Sequence, residues 1–493
     1  MLEFRPAGDT TASGSFFAYE EFFMAKRRTI GWAGAQREPQ LDGLFGSMRN
    51  YVQERTGLTG SIGAEAETLL VGLPLPALCL QYAFQSTVFP LSRVVQITGE
   101  EGSAKSALLY EIMRWHMTYG GGAVLAQNEL KDSPDLRASL LQWNKQWLAR
   151  CDVVDTHSMQ EWQKVWTFGS QFMRGIMDQA GGPGRTVPVV IACDSLTATA
   201  PEEEIAEMMK DGCAKRGFAL LANLISRYMR TIPRQIEGYP FTYIGTNHLK
   251  PATDYMGRPT ANIPGGKSVK FMETFEIEMH RHHIPDIDRL DYGGLRLVLK
   301  LRKNSLGPSR RQFAAELLWW TGQDPETGLL RQETAWDWHA ASIDLLLRFE
   351  TDKGKKTLYT ALRDICDINV VSRTDRTCWS KALQISKDDP LPYRTAGAML
   401  EQRMDLKLQM FPLLGIIQRR PFQPGVDYRD LLETAREQAT EEARNLYTTP
   451  VALPHATGDE SDTSEVPVDS ANVVRAEERE DANEESSEPT EAL

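Results

Sequence analysis

The sequence predicts an α/β protein built on a mostly parallel central sheet, followed by a helical carboxy-terminal domain and an acidic tail. Three observations carry this. From about Thr68 to Trp320, short β-rich runs alternate with helical stretches, the pattern of a sheet wound with crossover helices. Beyond about Gly322 the apolar spacing turns helical, as in Ile343-Asp344-Leu345-Leu346-Leu347 and Leu431-Leu432-Glu433-Thr434-Ala435. From Asp459 to Leu493 the chain carries 13 acidic and 2 basic residues and almost nothing to bury.

A chain of 493 residues with 41% hydrophobic content can bury a large core and divides into two or three structural units. The expected boundaries are an amino-terminal oligomerisation region (1–60), a core (61–322), the helical domain (323–455) and a disordered tail (456–493). The amino-terminal region holds an aromatic cluster, Phe16, Phe17, Tyr19, Phe22 and Phe23, followed by Lys26, Arg27 and Arg28. The net charge of -12 lies almost wholly in the tail, whose net is -11, leaving about -1 for the rest. A near-neutral body can still bind a polyanion if its Lys and Arg cluster on one surface. No run of about 18 apolar residues occurs, and the amino terminus lacks signal-peptide features, so the expectation is a soluble cytoplasmic protein with no membrane partner. Six scattered cysteines without a Cys-x-x-Cys pair fit reduced thiols, and no solenoid repeat is present.

The strand Arg93-Val94-Val95-Gln96-Ile97-Thr98 leads into Gly99-Glu100-Glu101-Gly102-Ser103-Ala104-Lys105-Ser106, and the helical run Ala107 to Met113 follows. A glycine-containing loop between strand and helix is the setting of a P-loop. Its N–H groups and the helix amino terminus would hold phosphates, Lys105 would reach the β/γ oxygens, and the Ser106 hydroxyl would bind Mg²⁺. Ala104 stands where the consensus has glycine. The plain alternative is an ordinary turn before a helix. A second strand, 186–193, ends at Asp194, where a carboxylate can hold the Mg²⁺ water shell; the alternative there is a cap or turn residue. A third, 241–246, ends at Asn247 and opens a long polar segment.

With these pieces in order, the chain resembles the RecA family of recombinases, phage RecA-like members included, over about Thr68 to Trp320. The resemblance rests on the P-loop, Cys193-Asp194-Ser195-Leu196-Thr197-Ala198, Thr246-Asn247-His248-Leu249-Lys250, Gly265-Gly266-Lys267-Ser268-Val269-Lys270-Phe271, and Gly307-Pro308 after Leu301-Arg302-Lys303-Asn304. It implies a RecA-like ATPase core using ATP and Mg²⁺, with Glu129 as general base and adenine contacts near Asp132. For Glu129 the alternative is a helix-dipole partner. It also implies two DNA-binding loops. The first, 202–216, offers Lys210, Lys215 and Arg216 among several glutamates. The second, 249–266, offers Lys250, Tyr255, Arg258, Gly265 and Gly266, with Lys267 and Lys270 just beyond; the alternative is a solvated surface loop.

Departures from the family pattern are specific. His248 stands where the family has a glutamine linking the γ-phosphate to the second loop, and histidine can still donate a hydrogen bond. Where the family presents two lysines to the neighbouring subunit's ATP, this chain has Arg302 and Asn304, with Lys303 between. The implied role is charge stabilisation on the transferred phosphoryl group; the alternative is an ordinary exposed strand charge. His280 and His282, alternating with Phe275, Ile277 and Met279, read with Glu276 and Glu278 as the solvated face of a strand rather than a metal pair. Phe22-Phe23-Met24-Ala25 fits a Phe-x-x-Ala docking pattern, but four residues fit core packing as well.

Taken together, the sequence predicts a DNA-dependent ATPase that forms helical homo-oligomers on single-stranded DNA, pairs it with double-stranded DNA, and works beside single-strand-binding or mediator proteins. A RecA-fold hexameric motor and a weakly hydrolysing regulatory ATP-binding protein are the rivals. The tail, as in RecA-like proteins with acidic termini, is expected to compete with DNA for basic surfaces. Deleting 456–493 should therefore raise affinity for a fluorescent single-stranded oligonucleotide in anisotropy titrations, and unchanged affinity would remove the tail from that role.

Overall fold

The computed structural model describes residues 70–129, 133–179, 186–196, 198–211, 217–253, 259–262, 267–282, 287–288, 292–307, 309–351, 356–435 and 437. The amino-terminal region with its aromatic cluster and Phe22–Ala25 pattern, and the acidic tail, lie outside the described residues.

The main sheet contains β1 (Arg93–Gly99), β2 (Gly122–Gln127), β3 (Cys151–Asp155), β4 (Val189–Asp194), β5 (Phe241–His248), β6 (Phe275–Arg281), β7 (Tyr292–Asn304), β8 (Arg311–Gln323) and β9 (Leu330–Trp336), with the short Ile287–Asp288 paired beside β7. Their order across the sheet is β9-β8-β7-β6-β1-β5-β4-β2-β3. The six strands from β6 to β3 run parallel, whereas β7, β8 and β9 form an antiparallel wing. The mostly parallel sheet expected from the sequence is present.

Both faces of the parallel part are covered, as buried apolar strands require. Side chains of β1 alternate between the faces: Val95 and Ile97 join one core, Val94 the other. On the first face lies α2 (Lys105–Thr118), the helix that follows the P-loop, contributing Leu108, Leu109, Ile112 and Met113. It follows α1 (Leu78–Phe84), which is buried along its whole length. On the opposite face, α3 (Met159–Asp178) buries Trp162 and Trp166, and α5 (Gly217–Met229) buries Ile225, Tyr228 and Met229. The Ser158 hydroxyl caps α3 by accepting from Glu161 N. Each fully buried aromatic or branched side chain contributes about 1.5–3 kcal/mol. Between α3 and α5 in the chain lies α4 (Glu202–Asp211).

The boundary suggested after Gly322 falls inside β8, and β9 extends the sheet beyond it. Leu330-Arg-Gln-Glu-Thr-Ala-Trp336 carries no apolar run, as suits an edge strand in which only Thr334 and Trp336 are buried. After a short helix preceding β6, α6 (Lys267–Met272), the remaining helices are α7 (Trp338–Thr351), α8 (Lys356–Cys366), α9 (Tyr393–Gln402) and α10 (Met404–Leu414). They are accompanied by a three-stranded sheet of Ile368–Ser372, Thr377–Ser380 and Leu391–Pro392, so this region is not purely helical. Its apolar residues, including Ile343, Leu400 and Phe411, join the same core as α1 and α2. Polar contacts reinforce that union: Glu111 of α2 accepts from Trp115 and from Trp338 at 2.9 Å, and Glu401 accepts the backbone N–H of Leu78 at 2.6 Å.

His116 ties α2 to the sheet. Its Nδ1 lies 2.8 Å from the Ile112 carbonyl and its Nε2 3.0 Å from Thr242 Oγ1, a pattern satisfied by the neutral ring donating through Nδ1 and accepting at Nε2. Burial pushes its pKa down to about 4 from 6.5. Between these values the unfolded chain binds a proton that the folded chain does not, so this stabilisation is present above pH 6.5 and is lost as pH falls towards 4. The loss reaches about 3 kcal/mol. Thermal melts should show a drop in stability from pH 7 to pH 5 that is shallower in His116→Gln, and equal slopes would exclude His116 as a source.

Candidate functional site

The P-loop conformation follows from a few residues. A Cβ at Gly99 would lie 2.3 Å from Ser103 Oγ and 2.6 Å from the Met279 carbonyl, so only glycine fits the end of β1. Ser103 Oγ donates to the Glu100 carbonyl at 2.8 Å and tightens the turn, while Glu100 and Glu101 are exposed. Gly102 and Ala104 both adopt positive φ, 73° and 59°, and α2 begins at Lys105. Ala104 therefore sits in the left-handed conformation that glycine takes freely and that strains an L-residue by roughly 1–2 kcal/mol. Lys105 is buried, its Nζ donating to the carbonyls of Glu100 at 2.7 Å and Gly99 at 3.2 Å across the loop mouth.

The parallel register brings the other predicted groups to this loop. His248 is the β5 partner of Gly99, and Asp194 of β4 is the partner of Gln127, two residues before Glu129. Ser106 Oγ donates to Asp194 Oδ2 at 2.6 Å, and the Thr246 hydroxyl donates to the other oxygen. Burial raises the Asp194 pKa, and these two hydrogen bonds act against that rise. Glu129 Oε1 accepts from Ser195 Oγ at 2.5 Å and lies 2.8 Å from His248 Nε2, where the ring nitrogen is the donor to a carboxylate. Asn128 locks the turn between them, accepting from Ser195 N at 2.7 Å and donating to the Ser195 carbonyl at 2.7 Å. A hydroxyl and a carboxylate 2.6 Å apart beside a lysine suit a hard cation that takes its remaining oxygens from water and phosphate. No group of three or more His, Cys, Asp or Glu able to hold a metal occurs among the described residues.

Lys105, Ser106, Glu129, Asp194 and His248 are thus gathered at one edge, and Ser195, Asn128 and Thr246 join them without having been assigned a role from sequence. Their signal was polar residues at or just after the carboxyl ends of apolar strands. Arg302 and Lys303 lie on β7, beyond β6 from the loop: Arg302 faces Glu276 and Glu278, and Lys303 donates to the Lys270 carbonyl. Asn304 is buried and packs structurally, donating to the Phe84 carbonyl and accepting from Leu306 N.

Parts of the two expected DNA-binding loops form regular elements. Glu202–Asp211 is α4: Glu202, Glu203 and Glu204 occupy its first turn, where they favour the helix dipole, and Lys210 is exposed in its last turn. Within 249–266, Lys250–Thr253 pairs with Pro259–Asn262 as a two-stranded antiparallel hairpin, and Lys267 opens α6, which carries Lys270 and the exposed Phe271. Asp132, Lys215, Arg216, Tyr255, Arg258, Gly265 and Gly266 lie outside the described residues. Glu276 and Glu278 are buried rather than solvated, since β6 is an interior strand between β1 and β7. His280 pairs with Glu278 at 2.9 Å. The five described cysteines are free and buried, and no described helix is long and apolar enough to cross a membrane.

Relief of the Ala104 strain gives a direct check on the loop. Ala104→Gly should raise the thermal midpoint, reflecting about 1 kcal/mol. A lower midpoint would contradict the left-handed conformation.

The chain matches no protein-family model. It is similar to curated proteins named Protein RecA: 25% identical over 345 residues to that of Nocardioides sp., covering 68% of this chain and 90% of the relative. The match to Kineococcus radiotolerans is 25% over 350 residues, with 68% and 90% covered. That to Pseudarthrobacter chlorophenolicus is 26% over 292 residues, with 59% and 74% covered. With the P-loop, the strand-end aspartate and the Glu129–His248 pair in register on a mostly parallel sheet, the chain is a distant relative of the RecA-type recombinases.

Proposed function

We propose that this protein is a DNA-dependent ATPase that assembles as filaments on single-stranded DNA and promotes homologous pairing and strand exchange. The observation that carries the reading is the convergence of Lys105, Ser106, Asp194, Glu129 and His248 at the carboxyl ends of β1, β2, β4 and β5. Lys105 turns from the loop carbonyls to phosphate oxygens, exchanging neutral acceptors for charged ones. Ser106 and Asp194 hold Mg²⁺, which when bound neutralises phosphate charge and orients the phosphates. Glu129, steadied by Ser195, accepts the proton of the attacking water as that oxygen bonds to the γ-phosphorus and the bond to the β–γ bridging oxygen breaks. Arg302 and Lys303 act on the nucleotide of a neighbouring subunit.

His248 supplies the link to DNA. It contacts Glu129 at the P-loop edge, and two residues later the chain enters the Lys250–Thr253 strand of the hairpin. A γ-phosphate offers His248 a second partner, so nucleotide state biases the position of the segment that would meet DNA phosphates. Mg²⁺, ATP and both forms of DNA are the proposed ligands, with the hairpin, Lys267, Lys270 and Lys210 as candidate DNA contacts.

ATP hydrolysis measured with and without single-stranded DNA, alongside negative-stain microscopy, tests the reading. DNA should stimulate turnover in helical filaments, Lys105→Ala should abolish it, and Glu129→Gln should lower kcat by about 10²-fold or more while leaving ATP binding intact. Closed rings would indicate a hexameric motor. ATP binding without a response to DNA would indicate a regulatory protein.

A further inference from the structure

Beside the P-loop strand lies a buried polar strip on β6 that the proposed chemistry does not use. Glu276 and Glu278 are 2% and 7% exposed, although β6 is an interior strand where apolar residues would pack without penalty. In the parallel register Glu278 sits opposite Thr98 and Met279 opposite Gly99, so this strip abuts the start of the P-loop. Thr98 Oγ1 donates to Glu276 Oε1 at 3.4 Å. From the other side, one Arg302 guanidinium nitrogen lies 3.8 Å from Glu276 Oε1 and 3.7 Å from Glu278 Oε2. Glu273, at the end of α6, is buried, and neither of its carboxyl oxygens is hydrogen-bonded among the described residues. Burial and the neighbouring Glu276 push its pKa up to about 8. Burial raises the Glu276 pKa as well, and the nearby Arg302 acts against that rise.

Pairs of this kind rarely stabilise a core better than apolar residues would, so packing alone does not account for them. Arg302 is 35% exposed, so its side chain faces the two glutamates while remaining partly accessible to solvent. We propose that Glu276 is a positioning residue for Arg302, holding the guanidinium against its own P-loop strand in the resting subunit and so setting the ATP concentration at which Arg302 is released to a neighbouring subunit's phosphate. The inference rests on the reading of Arg302 as a cation that acts across a subunit boundary. Its physical content is competition: Arg302 exchanges a pair of glutamates for a phosphate, and Glu276 opposes the exchange because it stays buried and loses the stronger of the two cations acting on it, Lys270 being the other.

The test measures ATP turnover on single-stranded DNA against ATP concentration for the full chain, Glu276→Gln, Arg302→Ala and the double variant, with a thermal melt of each. Glutamine keeps the Thr98 hydrogen bond and the volume but removes the charge. Glu276→Gln should lower the half-saturating ATP concentration about five-fold with kcat little changed, and should have no such effect in the Arg302→Ala background. An unchanged half-saturation in folded Glu276→Gln, or an equal shift without Arg302, would overturn the proposal. Should Glu276→Gln fail to fold, Glu278→Gln removes the other contact and carries the same expectation. If Arg302→Ala turns over as the parent does, the cross-subunit reading of Arg302 fails and this proposal with it, while Lys105→Ala still judges the P-loop. Repeating the series as assembly on DNA driven by a slowly hydrolysed ATP analogue separates failure of the hydrolysis reading from failure of this one.

Discussion

Everything at the site depends on the parallel register of four strands. Gly99 ends β1 beside His248 of β5, and Gln127 of β2 pairs with Asp194 of β4. Backbone hydrogen bonding in a parallel sheet leaves little freedom once its faces are buried, because a one-residue slip would turn every side chain to the opposite face. Val94 and Val95 feed different cores, so slipping β1 would send each into the core packed for the other and carry Gly99 away from His248. Residues more than a hundred positions apart in the chain are thereby held within hydrogen-bond distance, and the loops after them need only modest length to complete the constellation.

The site carries groups that oppose burial, and each is managed differently. Asp194 keeps two hydroxyl donors, Ser106 and Thr246, against the desolvation that raises its pKa. Glu129 is steadied by Ser195 and His248. Lys105 borrows loop carbonyls. These partners are all groups that phosphate or a hard cation can replace, which suits a site that changes state with its ligand. Ala104 is the one backbone position that works against the loop, and it marks this chain off from a sequence optimised for that turn.

The region after β9 is more than an appendage to the sheet. Its helices share a core with α1 and α2, and Trp338 reaches the same Glu111 carboxylate as Trp115. The helix that follows the P-loop is consequently braced from the carboxy-terminal side as well as from the sheet. A mechanical link of this kind connects the phosphate loop to residues more than two hundred positions further along the chain.

Much of the site was legible in the sequence because it is local. A strand, a glycine-containing loop, Lys-Ser and a helix are consecutive residues, and apolar strands ending in Asp194 and in Asn247-His248 declare themselves by composition. The alternation in Phe275, Ile277 and Met279 likewise marked β6 as a strand. Sequence could not say that this strand lies inside the sheet, so Glu276 and Glu278 read as solvated when they are buried. Nor could it show that 202–211 is a helix, that part of 249–266 pairs as a hairpin, or that the sheet runs on to Trp336. An edge strand and a charged first helical turn both look like polar loop in one dimension. The P-loop motif and the strand ends around it could be read in one dimension, since consecutive residues set their chemistry. The tertiary structure alone decided that His248 meets Glu129, that Ser106 meets Asp194 and that Arg302 faces Glu276, because strand order and register, which are set by distant pairings, choose the partners.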